Sequence, residues 1–286
     1  MAKEKEYLDI ARNTWDGMLF KGDGRKDKCM IVFSGSEGGL EHAGKLSRFL
    51  SDNGVPALAF SLFRTKHSPK ALSLIPLEQI RSAIDYIKNK GYAKIGVMGL
   101  SRGSEYALAA AIEYPDISFV VIRTPSWFYG EGLRNHQPTG HGAWTKDGKE
   151  LPYTPLRSRK YNILKQIIKT KEFNILEWYT GLDIVEESVI PVEKVKGPIL
   201  IQSVHLDTVW PSEKNSEKIE KRLKEKGFQY PHKHTCYPHM SHVMMEYCGP
   251  QIKYFVKSEK LYPEECAEER RLMGEETLEW IKNQWK

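Results

Sequence analysis

Short apolar runs alternate along this chain with stretches of helical periodicity, a pattern that predicts a mostly parallel sheet covered by helices on both faces. The runs MLFKG (18–22), CMIVFSG (29–35), PALAFSL (56–62), KIGVMGL (94–100), SFVVIRT (118–124), GPILIQSV (197–204) and HKHTCYP (232–238) read as strands. Helices are expected near 39–53, 76–90, 102–114, 212–227 and 265–284. Asp23-Gly24, between the first two runs, predicts a hairpin turn and an antiparallel edge to the sheet.

The rhythm breaks between 125 and 196, where some seventy residues stand in place of a short crossover. This stretch opens with the Gly-, Pro- and His-rich YGEGLRNHQPTGHGAW and continues into apolar-periodic sequence such as YNILKQIIKTKEFNILEWY. It reads as a loop plus helical cap inserted into a single α/β domain over residues 1–286. No internal repeat or low-complexity tract interrupts it.

Composition adds little to this picture. Of 286 residues, 40% are hydrophobic and 28% charged, as in an ordinary folded domain. The net charge of +6 is mild and mostly interleaved, as in SEKNSEKIEKRLKEKG (212–227), so no nucleic-acid partner is expected. No apolar window is long enough to span a bilayer, and MAKEKEYLDIARNTW carries charges where a signal peptide needs an apolar core; a cytoplasmic protein without membrane insertion is expected. The four cysteines form no CxxC pair, so neither disulfides nor a zinc site is implied, and no cofactor or other metal is expected. One stretch departs from the even charge distribution: PLRSRKYNILKQIIKTK (155–171) carries six basic residues and no acidic one, as a solvated helix face or a landing site for an anion.

The chemistry is concentrated around IGVMGLSRGSEYALAAA (95–111), where a strand ends in Gly99-Leu100-Ser101-Arg102-Gly103 and a helix begins. A sharp strand-to-helix turn exposes its central side chain, and small flanking residues let strand and helix approach. Ser101 would then sit at a helix N-terminus, where free amides and the helix dipole favour developing negative charge. A serine hydroxyl needs a base, and the base an orienting carboxylate, in the chain order serine, acid, histidine. HLDTVWPS places Asp207 just beyond one strand, and HMSHVMMEY places His239 and His242 just beyond the last. Spacing leaves both histidines open, while His232 and His234 fall within the strand and read as structural. For the oxyanion hole, one amide is that of Arg102; the other is assigned to Glu37 or Ser36 in the flexible turn SGSEGG (34–39).

At this point the chain resembles the acyl-CoA thioesterase / bile acid-CoA:amino acid N-acyltransferase C-terminal domain family of α/β-hydrolases. The matching pieces are FSGSEGGL (33–40), IPLEQIRSAIDYIK (75–88), KIGVMGLSRGSEYAL (94–108), IPVEKVKGPILIQS (190–203), LDTVWPS (206–212) and YPHMSHV (237–243). The resemblance implies an α/β-hydrolase fold with Ser101 as nucleophile, Asp207 as acid and His242, rather than His239, as base. It also implies a structural role for Glu105 beside Arg102. Larger members carry an N-terminal β-sandwich domain, whereas this chain begins almost at the hydrolase domain. Acyl-transferring members typically use cysteine as nucleophile, so Ser101 points to hydrolysis.

The expected function is hydrolysis of an acyl thioester through an acyl-enzyme. The insertion would supply the acyl pocket, with Trp127, Phe128, Trp144 and Trp178 as lining candidates, and Arg157, Arg159 and Lys160 would meet the phosphates of a CoA substrate. A simple ester, lactone or amide as substrate is the alternative, and a non-catalytic binding protein of the same fold is a third reading.

Overall fold

In the computed structural model, which describes residues 5–10, 15–157, 160 and 162–286, eight strands form one sheet. In chain order these are β1 (Lys5–Ile10), β2 (Trp15–Phe20), β3 (Lys28–Phe33), β4 (Ala57–Phe60), β6 (Lys94–Leu100), β7 (Ile117–Arg123), β12 (Ile199–Val204) and β13 (His232–Tyr237). The short β5 (Ile75–Pro76) and four strands of the 125–196 insertion lie outside this sheet. The order across the sheet is β1-β2-β4-β3-β6-β7-β12-β13, with β1, β2 and β4 antiparallel in sequence and every later pairing parallel.

The central strands are apolar on both faces because both faces are covered. Ile31, Phe33, Val97, Val120 and Ile201 point to the face packed by α2 (Gln79–Asn89), α3 (Arg102–Glu113) and α6 (Ser212–Glu225). Their strand neighbours Met30, Val32, Met98, Val121 and Leu200 meet α1 (Glu41–Asp52) and the long C-terminal α8 (Pro263–Gln284) on the other. A parallel sheet of this kind gathers the carboxyl ends of β3, β6, β12 and β13 along one edge, where open α/β folds build their sites.

Two expectations are corrected. The turn at Asp23-Gly24 forms, with the Gly24 amide donating to the Lys21 carbonyl at 3.0 Å, but it does not close a hairpin. β4 lies between β2 and β3, because β3 takes parallel partners on both sides and residues 21–27 are long enough to cross one strand.

The insertion is also not purely helical. It contains α4 (Ile163–Thr170) and α5 (Leu176–Tyr179), but before them come β8 (Glu131–Arg134) and β9 (Gln137–Gly142), then β10 (Trp144–Lys146) and β11 (Lys149–Glu150). Both pairs are tight two-residue hairpins. Their central residues, Asn135-His136 and Asp147-Gly148, have positive φ, the geometry that matches the twist of the flanking strands. β10 also pairs in parallel with β5, which ties the insertion to the segment before α2. A further helix outside this region, α7 (Lys257–Leu261), precedes α8.

Candidate active site

Ser101 occupies the turn between β6 and α3 with φ 55° and ψ −123°, a backbone conformation that costs a non-glycine residue roughly 1–3 kcal/mol. The flanking glycines permit it. A Cβ on Gly99 would lie 2.3 Å from the Gly103 carbonyl oxygen, and one on Gly103 would lie 2.3 Å from that of Ser34, so neither position has room for a side chain. The Ser101 amide donates to the Arg123 carbonyl at 2.9 Å, fixing the turn to the end of β7.

Asp207 follows β12 and His242 follows β13, and the two meet Ser101 from the neighbouring strand ends. His242 Nε2 is 2.8 Å from Ser101 Oγ, and Nδ1 is 3.0 and 2.9 Å from the two Asp207 oxygens. Asp207 Oδ1 also accepts the amides of Val209 and Trp210 at 2.8 and 3.1 Å, so the carboxylate is aimed before the histidine reaches it. With Nδ1–H donating to Asp207, Nε2 is left as the acceptor for the serine proton. The Trp210 indole stands edge-on to the imidazole, 5.5 Å between centroids, and is anchored by donating to the Thr124 carbonyl at 3.0 Å.

His239 is occupied elsewhere. Its Nδ1 lies 2.6 Å from Glu269 on α8, its amide donates to the same carboxylate, and its ring packs on Tyr262.

The loop after β3 lies directly against the serine: a Cβ on Gly35 would fall 3.0 Å from Ser101 Cβ. Ser36 and Glu37 line the same cavity as Ser101, opposite the first turn of α3, where the Arg102 amide belongs to the group that helices leave without internal partners. The Glu37 side chain folds back on its own loop. Its Oε1 accepts the Gly35 amide at 3.0 Å and lies 3.0 Å from His42 Nδ1, while its carbonyl accepts from Arg64 at 3.1 Å. Burial works to raise the Glu37 pKa, but the hydrogen bond and charge of His42 outweigh it and hold the carboxyl below its usual range. His42 is raised, chiefly by its hydrogen bond to Glu37 and against burial.

The cavity beside Ser101 encloses about 190 Å³. Its walls are mainly apolar, including Leu100, Leu133, Phe173, Trp178 and Trp210, with polar groups at Ser36, Glu37, His42 and His136. Of the four aromatic candidates for this wall, the structure places only Trp178 there. Phe128 lines an adjoining narrow hollow with Arg102, Gly130 and Thr154. Trp127 packs on the core edge beneath Lys218, and Trp144 is fully buried. Arg157 and Lys160 are exposed and are not among the lining residues, and Arg159 lies outside the described residues.

Arg102 and Glu105 are both buried and joined, Nη1 to Oε1, at 2.8 Å. Arg102 also donates to the carbonyls of Gly130 and Glu131, and Glu105 accepts from the Gly130 amide and the Trp144 indole at 3.1 and 3.0 Å. Burial pushes the Glu105 carboxyl up, opposed by the Arg102 charge. The pair therefore fastens the insertion to the helix that carries Ser101. Sequence reading anticipated the pair but not its attachment to the insertion, nor the parts played by His42, His136 and Trp210. The DTVWPS and SEGGLEH segments hold two of these, Trp210 and His42.

The strand order, the strained serine turn and the acid and histidine loops at the carboxyl edge make this an α/β-hydrolase fold. Est1E from Butyrivibrio proteoclasticus shares it, with a TM-score of 0.54 over 98% of this chain and 99% of that one, at 18% identity. The chain belongs to the BAAT / Acyl-CoA thioester hydrolase C terminal family, whose model matches residues 75–259. Among curated relatives it is 26% identical over 213 residues to the peroxisomal succinyl-coenzyme A thioesterase of Mus musculus, covering 73% of this chain and 47% of that protein. It is 26% identical over 224 residues to acyl-coenzyme A thioesterase 3 of the same organism, covering 77% and 48%. The chain thus spans about half the length of the curated relatives it matches. No helix among the described residues is long and apolar enough to cross a membrane.

Proposed function

We propose that this protein is a serine hydrolase of acyl thioesters. The observation that carries the reading is His242, which bridges Ser101 and Asp207 at 2.8 and 2.9 Å beside a mainly apolar cavity. Ser101 Oγ attacks the thioester carbonyl carbon as its proton passes to His242 Nε2. The carbonyl oxygen becomes an oxyanion held by the Arg102 amide and by that of Glu37 or Ser36. Collapse of the tetrahedral intermediate breaks the carbon–sulfur bond, and the thiolate leaves with the proton from His242. Water then attacks the acyl-serine ester, gives its proton to His242, and the second collapse returns that proton to Ser101 and releases the carboxylic acid. Asp207 keeps the imidazole in the tautomer this needs and stabilises its charged form.

Residues 125–196 act as the cap, contributing Leu133, Leu156, Phe173 and Trp178 to the acyl wall. The family relationship, together with a serine where acyl-transferring members typically have cysteine, favours acyl-CoA as substrate and water as acceptor. A cytoplasmic place belongs to the same reading; imaging of a tagged protein separates it from the peroxisomal setting that one relative's name gives.

Kinetics with a series of acyl-CoAs and the matching p-nitrophenyl esters, with and without glycine or taurine, test the proposal. Acyl-CoA turnover to free acid is expected. A preference of tenfold or more in kcat/KM for the p-nitrophenyl esters, or amide product with an added amine, contradicts it.

A further inference from the structure

We infer that the recess between the loop 64–74 and the β8–β9 hairpin binds the phosphate-bearing end of the leaving group, an inference that rests on the acyl-CoA reading above. The recess encloses about 550 Å³ and is lined by Lys70, Ser73, Arg134, Gln137, Thr139 and His141 among others, with no carboxylate in its wall. Among the described residues Lys70 donates to backbone carbonyls alone, those of Thr65 and Lys66, and has no carboxylate partner. Arg134 is exposed and has no carboxylate partner among the described residues. His141 lies 3.7 Å from Glu150, an exposed and loose contact. The segment RTKHSPK (64–70) that leads into the recess contains no acidic residue.

The recess is a built feature. The Leu133 amide donates to the Leu72 carbonyl at 2.6 Å, Ser73 Oγ lies 3.0 Å from Thr139 Oγ1, and Thr139 donates to the Gly132 carbonyl at 3.1 Å, joining loop and hairpin. It is also adjacent to the reacting serine. Leu133 and His136 of the hairpin line the Ser101 cavity, whereas Arg134 and Gln137 line the recess, so one hairpin forms the wall between them. Arg64 reaches the oxyanion loop itself through the Glu37 carbonyl.

An acyl-CoA presents opposite demands at its two ends. Its acyl group fits the mainly apolar cavity, whereas its phosphates would lose hydration there beside the Glu37 carboxylate and few polar groups. They need a concave cationic surface within reach of a flexible arm, and guanidinium, ammonium and hydroxyl groups in a recess supply one. The basic stretch 155–171 is less suited. Arg157 and Lys160 line neither space, and Lys169 is paired with Glu177 at 3.1 Å.

The test is the double variant Lys70→Gln/Arg134→Gln, compared with Arg157→Gln/Lys160→Gln. For the recess variant, the KM for an acyl-CoA should rise about tenfold, the effect of losing one or two charged contacts to phosphate, with kcat held within twofold. The KM for the p-nitrophenyl ester of the same acid should not move. Free coenzyme A should bind calorimetrically to the Ser101→Ala protein and about tenfold more weakly when the recess changes are added. The inference is overturned if the acyl-CoA KM is unchanged, if the ester KM rises equally, or if the 157/160 variant carries the rise instead. Should the wild type turn over esters but no acyl-CoA, the thioester reading fails. The calorimetry then decides the recess alone: binding lost with Lys70 and Arg134 supports it, and no binding overturns it.

Discussion

Two sets of serine, histidine and carboxylate lie on this sheet with nearly the same hydrogen-bond geometry. In one, Ser101 Oγ is 2.8 Å from His242 Nε2 and His242 Nδ1 is 2.9 Å from Asp207. In the other, Ser203 Oγ is 2.7 Å from His234 Nε2 and His234 Nδ1 is 3.1 Å from Glu220. The surroundings of the hydroxyl separate them. Ser203 stands within β12, in register with Cys236 of β13, fully buried and with its strand engaged in the ladder. Ser101 stands on a strained turn at a cavity wall, facing the first turn of a helix and the loop 35–37. Three residue types at hydrogen-bond distance do not make a reactive centre; room for a substrate carbonyl and amides directed at its oxygen are also needed.

The largest expected difference is therefore between Ser101→Ala and Ser203→Ala. The first should lower kcat/KM by about a millionfold, as loss of a nucleophile does when the rest of the machinery is intact. The second should leave it within twofold, measured on the same acyl-CoA. Equal losses would erase the distinction. The orienting carboxylates come next: Asp207→Asn should lower kcat about ten-thousand-fold by favouring the wrong histidine tautomer, and Glu220→Gln should leave it nearly unchanged.

A smaller effect sharpens the contrast in surroundings. The Glu37–His42 pair holds the loop beside Ser101. Glu37→Gln should lower kcat about tenfold with KM little changed, less than deletion of a whole oxyanion donor because the amides remain. The pair also sets a pH window. His42 is raised above its ordinary 6.5, so its contribution to stability is complete below that value and lost as pH rises through the raised pKa. Glu37 is lowered below its ordinary 4.5, so its contribution is present above that value and lost as pH falls through the lowered pKa. Thermal melts of wild type and His42→Gln across pH should converge on the alkaline side and diverge near neutrality; curves that stay parallel would remove the pair from the account. Smallest of all, Ser203→Ala should cost about 1 kcal/mol in denaturant midpoint, the price of a buried hydrogen bond, with activity intact.

The contrast also explains what could be read from the sequence. Ser101, Asp207 and the two loop histidines were legible because each follows a strand whose apolar run is unmistakable, and strand ends of a parallel sheet share an edge. The choice between His239 and His242 was not legible from spacing, since it depends on Glu269, thirty positions on in α8, which takes His239 away. The mimic at Ser203 was invisible for the same reason: it joins residues of β12, β13 and α6 through strand register. In the insertion, Asp147-Gly148 is a hairpin signal set within a stretch whose composition reads as loop and helix. Which aromatic faced the cavity depended on that fold, and Phe128 and Trp127 face elsewhere. Charge density alone does not say which basic groups lie near the cavity. Within the most basic stretch Leu156 lines the cavity but Arg157 and Lys160 do not, whereas the shorter RTKHSPK segment reaches the loop 35–37 through Arg64.

The central claim, that Ser101 and not merely a serine near a histidine is the nucleophile, is tested most directly by reaction with a fluorophosphonate probe followed by peptide mapping. The wild-type protein should carry the label on Ser101 alone, and Ser101→Ala should not label. Labelling of Ser203, or undiminished labelling of Ser101→Ala, would contradict the account.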